Sequence, residues 1–213
     1  MTRARHSYDR VAERYAAEVG DELAGKPLDR ALLQAFVELA GNGPLADLGC
    51  GPGHVTRHLA GLGRPAVGTD LSPGMCAVAR RDNALPFLAG DLTALPLRSG
   101  ALAGVVCLYT VIHLDAEQRA AAYREFVRVL RPGGPALVAF HTGDADNPMG
   151  TARTLTEWWG EDIELAFHFL DPDAEAAALA TAGFEPVARL EREPNCGAEH
   201  PSRRAYLLVR APH

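Results

Sequence analysis

No stretch of the sequence approaches the roughly 20 consecutive apolar residues that a membrane-spanning helix needs, and the opening segment MTRARHSYDR has no apolar signal core. The expectation is a cytoplasmic chain with no membrane partner. Cysteine is equally sparse: Cys50, Cys76, Cys107 and Cys196 form no C-x-x-C pair and have no histidine at zinc-ligand spacing. That argues against a metal site or a disulfide framework and for free, mostly buried thiols. Basic residues are in the minority, 21 Lys and Arg against 27 Asp and Glu, for a net charge of -6. The average field therefore repels nucleic acid and anionic membrane, and a small or uncharged partner is expected. Internal repeats and low-complexity linkers are missing too. With 213 residues, 47% hydrophobic and 23% charged, the chain fits one globular domain over residues 1–213, as a monomer or homodimer.

What is present is a change of rhythm. Residues Ser7 to Val19 place Tyr8, Val11, Tyr15 and Val19 on one helical stripe, and a second helix is predicted from Leu28 to Leu39, so residues 7–40 read as N-terminal cap helices. Beyond AGNGP, short apolar runs alternate with helical segments. PLADLGC, PAVGTDL, LPFLAGDL, LAGVVCLYTVI and GPALVAF read as five strands, with helices over Val55–Ala60, Pro73–Arg81 and Ala116–Leu130. That order predicts an α/β fold, a doubly wound and mostly parallel sheet with helices on both faces. After Phe140 the pattern breaks, and residues 141–171 read as a lid-like insertion. A helix from Pro172 to Ala182 and two strand-like runs, EPVARLERE and RRAYLLVRA, would complete the sheet with an antiparallel edge hairpin.

The chemistry is concentrated in LADLGCGPGH, Leu45 to His54. Glycines at the carboxyl end of a first strand allow a tight turn and a close ligand, while the following helix supplies free amides. Asp70 closes the second strand about twenty residues on, where a carboxylate can accept both hydroxyls of a ribose. Dinucleotide sites favour G-x-G-x-x-G, whereas Gly49, Gly51 and Gly53 stand at alternate positions here.

That spacing resembles motif I, D-x-G-x-G-x-G, of the class I S-adenosylmethionine-dependent methyltransferases, of the type acting on small molecules. VGTDLSPGMCAVAR is similar to the family's second motif, GDLTALPL to its third, and LRPGGPALVAF to the segment entering the fifth strand. The resemblance implies S-adenosylmethionine as cofactor and a Rossmann-like methyltransferase sheet. It puts Asp47, Gly49 and Gly51 around the methionine and ribose portion, Asp70 on the ribose hydroxyls, Leu71 and Met75 beside the adenine, and Asp91 with Leu92 at its far edge. Cys50 and Cys107 are grouped with these cofactor residues. YDRVAERY resembles the helix that closes the pocket in small-molecule members, with Tyr8 or Tyr15 near the cofactor carboxylate; ordinary helix packing is the other reading of these tyrosines.

The implied reaction is methyl transfer to an oxygen or nitrogen of a small-molecule acceptor, such as a secondary metabolite. Placement of the acceptor should dominate, with a base where a proton must leave. His113, after the fourth strand, and His141, after the fifth, are the catalytic candidates, and proton loss to water is the alternative. Glu157, Trp158, Trp159, Phe167 and His168 lie where a roof over the acceptor would be, although the tryptophans equally suit anchoring it to the core. His200, Arg203 and Arg204 suit either an anionic substrate group or a solvated edge strand. A methyltransferase for RNA or protein would want a more basic surface; a non-methylating S-adenosylmethionine-binding protein would leave both histidines incidental.

Overall fold

A computed structural model describes residues 2–195 and 199–213; Cys196 lies outside the described residues. The predicted α/β fold is present. Two helices come first, α1 (Thr2–Val19) and α2 (Pro27–Ala40), then β1 (Leu45–Leu48), α3 (His54–Gly61), β2 (Ala66–Asp70), α4 (Pro73–Asn83) and β3 (Phe87–Ala89). The second half runs β4 (Gly104–Leu108), α5 (Ala116–Val129), β5 (Pro135–Gly143), β6 (Ala152–Trp158), β7 (Glu161–His168), α6 (Pro172–Thr181), β8 (Glu185–Arg192) and β9 (Arg203–Arg210).

Seven strands form one sheet in the order β3-β2-β1-β4-β5-β9-β8. β1 pairs in parallel with both β2 and β4, so the chain reverses its winding there. Ligands of open α/β sheets bind in the crevice such a switch point leaves at the carboxyl strand ends. The two late strands do pair antiparallel, but β9 inserts beside β5 and leaves β8 as the edge.

Alternation along the strands sorts the core into two layers. Ala46, Leu48, Val105, Cys107, Val138 and Phe140 face Tyr123 and Phe126 of α5 and Leu179 of α6. Leu45, Val106, Leu137 and Ala139 face Leu33 and Phe36 of α2 and Leu59 of α3. Period-two strands covered by apolar helix stripes on both faces account for the short, nearly unbroken apolar runs of the central sequence. Helix starts follow local chemistry as well: Ser72 accepts from the Met75 amide at 3.0 Å, and Asp115 and Gln118 form a reciprocal capping box.

Two strand readings need correction, and the expected lid gains detail. β4 is shorter than LAGVVCLYTVI suggests: it ends at Leu108, and Tyr109 adopts a left-handed φ of 59° that turns the chain into a short 3-10 turn, Val111–His113. β5 is longer and continues to Gly143, so His141 lies inside the strand, opposite Arg204 of β9. Residues 152–168 of the expected lid form a regular antiparallel hairpin, β6–β7. Their run lacked a clean period because β6 is largely exposed and its register shifts between Leu155 and Glu157. No described helix is long and apolar enough to cross a membrane.

The hairpin packs on α1. Ile163 and Leu165 of β7 join Val11 of α1, with Tyr8, Tyr15, Trp158 and Phe167 against them. The Ser7 hydroxyl accepts from the Glu164 amide at 2.9 Å, and Arg3 pairs with the Glu164 carboxylate. α1 is fixed below by Asp9, whose Oδ1 accepts from Ser72 Oγ at 2.6 Å and from the Gly74 amide at 2.8 Å. Helix and hairpin together form a strap across the carboxyl ends of the strands.

Candidate functional site

Beneath this strap, the loop after β1 opens a cavity whose wall includes Asp47, Gly49, Cys50, Gly51, Asp70, Leu71, Met75, Asp91 and Leu92. The glycines are needed for different reasons. Gly49 has φ 76°, and a Cβ there would overlap the Thr110 side chain. Gly51 has φ 51°, and a Cβ there would stand 3.8 Å from the Tyr15 ring, taking up cavity space. Both positions keep the backbone bare towards the cavity.

Asp70 ends β2 with its carboxylate tied to two amides. Oδ2 accepts from Gly51 N and Oδ1 from Ser72 N, each at 2.8 Å. Each oxygen keeps a lone pair for a ligand, in a fixed orientation. Asp47 is buried and accepts from Thr56 Oγ1 at 2.7 Å through Oδ2. Burial pushes both carboxyls up, to about 6 in each case, against the hydrogen bonds that favour their ionised forms. Glu22 goes the other way: its burial is outweighed by the His54 hydrogen bond and the Lys26 charge, which hold it at about 2. Asp91, past the end of β3, is oriented by the amide and hydroxyl of Thr93, each 2.8 Å away.

Glu22, Asp29, Asp47, Asp70 and Asp91 line this cavity, and among the described residues no lysine or arginine does; Glu22 pairs with Lys26 and Asp29 with Arg192, which leaves Asp47, Asp70 and Asp91 as carboxyls in no ion pair. Such a wall favours a ligand with net positive charge and opposes a pyrophosphate.

Tyr8, Tyr15, Tyr109 and His113 line both this cavity and a second one beside it, under the hairpin. Tyr8 Oη lies 2.8 Å from His113 Nε2, and His113 Nδ1 lies 2.8 Å from the Ala166 carbonyl oxygen. A carbonyl only accepts, so the proton of the neutral ring sits on Nδ1 and Nε2 accepts from the Tyr8 hydroxyl. Burial pushes His113 down to about 4, which keeps the ring neutral at pH 7. The Tyr15 hydroxyl makes no hydrogen bond among the described residues.

The second cavity reaches His141, His168, His200 and Arg204. His141 Nδ1 is 2.7 Å from Ser202 Oγ, and its ring stacks on Tyr109 with centroids 5.0 Å apart. Burial and then the Arg204 charge push it down to about 3. Arg204 is itself buried, donating to the Ser202 and His200 carbonyls and lying 3.2 Å from Glu199. Trp158 and Phe167 line this cavity too, while Trp159 stacks on Trp158 at 4.5 Å and is largely exposed. Glu157 is exposed and accepts from the Gly160 amide at the hairpin turn; Arg203 is exposed on β9.

Most predicted site residues therefore converge, with two exceptions. Cys107 is fully buried and does not line the cavity. It belongs to the core layer that faces α5, whereas the next residue, Leu108, points to the other side and reaches the cavity wall. His141 lines only the second cavity. Residues not singled out from the sequence include Tyr109, Thr110, Glu22 and Asp29. The Tyr109 hydroxyl is 2.6 Å from the Tyr206 hydroxyl, and Tyr206 donates to Asp29 at 2.9 Å. Only the carboxyl-edge position of Tyr109 and Thr110 could have drawn attention to them in the sequence.

The chain is similar to known methyltransferases. The profile of a methyltransferase domain matches residues 45–134. A malonyl-[acyl-carrier protein] O-methyltransferase of Serratia marcescens is 31% identical over 153 residues, covering 70% of this chain and 57% of that protein. A demethylmenaquinone methyltransferase of Beutenbergia cavernae is 32% identical over 136 residues, covering 62% and 55%. The chain thus spans somewhat more than half the length of these two relatives. Among solved structures, the Burkholderia thailandensis 1,6-didemethyltoxoflavin-N1-methyltransferase, crystallised with its acceptor and S-adenosylhomocysteine, superposes with TM-score 0.74 at 20% identity, over 100% of this chain and 88% of that one.

Proposed function

We propose that the chain is a class I S-adenosylmethionine-dependent methyltransferase and that it transfers the methyl group of S-adenosylmethionine to an oxygen or nitrogen of a small molecule. The observation that carries this reading is the charge of the first cavity, where Asp47, Asp70 and Asp91 form no ion pair and no lysine or arginine stands on the wall among the described residues. S-adenosylmethionine is a sulfonium cation that also bears an ammonium group, whereas a dinucleotide brings a pyrophosphate. Similarity to methyltransferases acting on small molecules or carrier-bound acyl groups supports the acceptor class.

The residues suit the cofactor one by one. Asp70, with a free lone pair on each oxygen, fits the two ribose hydroxyls. Asp47 lines the cavity, forms no ion pair among the described residues and fits the ammonium. Leu71, Met75 and Leu92 offer an apolar wall for adenine, with Asp91 for its amino group. Of the two tyrosines, Tyr15 suits the cofactor carboxylate better, because the Tyr8 proton is committed to His113.

When bound, the cofactor supplies a methyl group already activated for displacement, so the protein's work is placement. The strap of α1 and the hairpin encloses the ligands and limits water. His113 holds its own proton on Nδ1 against Ala166 and accepts a hydrogen bond from the Tyr8 hydroxyl at Nε2, which leaves lone pairs of Tyr8 Oη open towards the meeting point of the two cavities. In this role His113 orients Tyr8, and a base acting alone at His113 would first have to give up that hydrogen bond.

Thermal unfolding with added ligands tests the reading. Saturating S-adenosylhomocysteine should raise the melting temperature by mass action and NAD should not. A shift with NAD, or none with S-adenosylhomocysteine, would overturn it.

A further inference from the structure

Resting on that methyltransferase reading, we infer that the second cavity takes a flat aromatic acceptor that enters uncharged and donates its own O–H or N–H to Tyr8 Oη.

The first strand of evidence is the wall. Tyr109, just past β4, and His141, within β5, form a stacked pair, and Trp158 and Phe167 come from the hairpin. Large rings from separate elements give an apolar lining suited to a ring system. Tyr109 enters this wall only because its left-handed φ of 59° turns the chain out of β4; a non-glycine residue in that conformation marks a place where surrounding structure enforces a costly geometry.

The second is the fate of the charges. Lys26 and Arg204 reach the cavity, yet each faces a carboxylate: Lys26 Nζ is 2.8 Å from Glu22, and Arg204 Nε is 3.2 Å from Glu199. Glu199 also pairs with Arg192, and Glu18 lies 2.6 Å from Arg14. The remaining charge, Arg153, is exposed on β6. A charged acceptor would have to desolvate there without an unpaired counterion inside. Four histidines complete the lining: burial keeps His113 and His141 neutral at pH 7, and partial desolvation lowers the half-buried His168 and the exposed His200 from their ordinary value, so the lining gains polarity with little charge.

The third is direction. Because Ala166 fixes the His113 tautomer, the Tyr8 proton points at Nε2 and Tyr8 Oη meets the cavity junction as an acceptor. An acceptor molecule with an O–H or N–H satisfies that oxygen; an ether or a tertiary amine in its place leaves it unpaired.

A matched probe series on the full chain saturated with S-adenosylhomocysteine tests this. The probes are 2-naphthol, 2-methoxynaphthalene and 2-naphthoate, titrated by ligand-observed NMR at pH 7. The expected result is 2-naphthol tightest, by about tenfold over each of the others, the scale of one hydrogen bond or one unpaired buried group. Tyr8→Phe should bring the naphthol-to-methoxynaphthalene ratio close to one. His113→Phe, which frees the Tyr8 proton to point into the cavity, should also shrink that ratio while naphthalene binding persists. This second variant keeps the test open if Tyr8→Phe folds poorly. Tightest binding of 2-naphthoate, or an unchanged ratio in the variants, overturns the inference. Binding of S-adenosylhomocysteine with no naphthalene binding overturns it too and leaves the methyltransferase reading intact, whereas failure of S-adenosylhomocysteine itself to bind brings down both.

Discussion

Asp47 and Asp70 carry a pH dependence whose sign depends on what fills the cavity. Burial raises each carboxyl from 3.8 to about 6. The folded, ligand-free chain then holds protons that the unfolded chain has already released. These two groups stabilise it fully below about pH 4, and that contribution is lost as the pH rises through about 6. A ligand that brings an ammonium to Asp47 and donates ribose hydroxyls to Asp70 reverses the trend, because each contact favours the ionised carboxylate. S-adenosylhomocysteine, with its ammonium group, should bind more tightly at pH 7 than at pH 5 and release protons as it does so. Calorimetry in two buffers of different ionisation enthalpy reads both effects; flat or falling affinity over that range would exclude the two carboxyls from the site. At Gly49 the expectation is structural. Gly49→Ala places a Cβ into Thr110 at φ 76°, and should cost at least about 2 kcal/mol in chemical denaturation, the scale of a strained and overpacked position.

At the scale of elements, α1 and the β6–β7 hairpin stand or fall together. Leu165 is fully buried between them, beside Val11 and Ile163. Leu165→Ala should destabilise this contact by about 2–5 kcal/mol, and hydrogen exchange should speed up in β7 and α1 together while α5 and the central strands stay protected. Exchange rising in β7 alone would separate the two pieces of the strap. The sequence made α1 visible through its helical stripe, and it made the glycine turn and Asp70 visible because those residues act locally, each next to its own strand. The strap could not be read in the same way. Tyr8 and His113 are 105 residues apart, and His113 and Ala166 are 53 apart; no periodicity encodes such a meeting. Cys107 is a related case: the sequence shows its strand, but which face each residue of that strand presents depends on the helices packed against it.

Across the whole molecule, one buried polar network ties the site to the late strands. Arg192 of β8 donates to Asp29 of α2 at 2.8 Å and also pairs with Glu199, while Tyr206 of β9 reaches the same Asp29. Asp29→Ala would strand Arg192 in a buried position without one of its two carboxylates. The expected loss is about 3–5 kcal/mol, or on the order of 6–20 °C in melting temperature for a chain of this size, and a change of less than 2 °C would show that the network is not needed for stability. The same break should loosen Tyr109, whose hydroxyl is held by Tyr206 and Asp29.

The measurement closest to the central claim is the affinity of S-adenosylhomocysteine for the wild-type chain and for Asp70→Ala, by isothermal titration calorimetry at pH 7. With Asp70 holding the ribose hydroxyls, the variant should bind roughly ten- to 150-fold more weakly, the equivalent of about 1.5–3 kcal/mol for hydrogen bonds to a charged group. An unchanged dissociation constant in a folded Asp70→Ala would contradict the placement of an adenosyl ligand in this cavity.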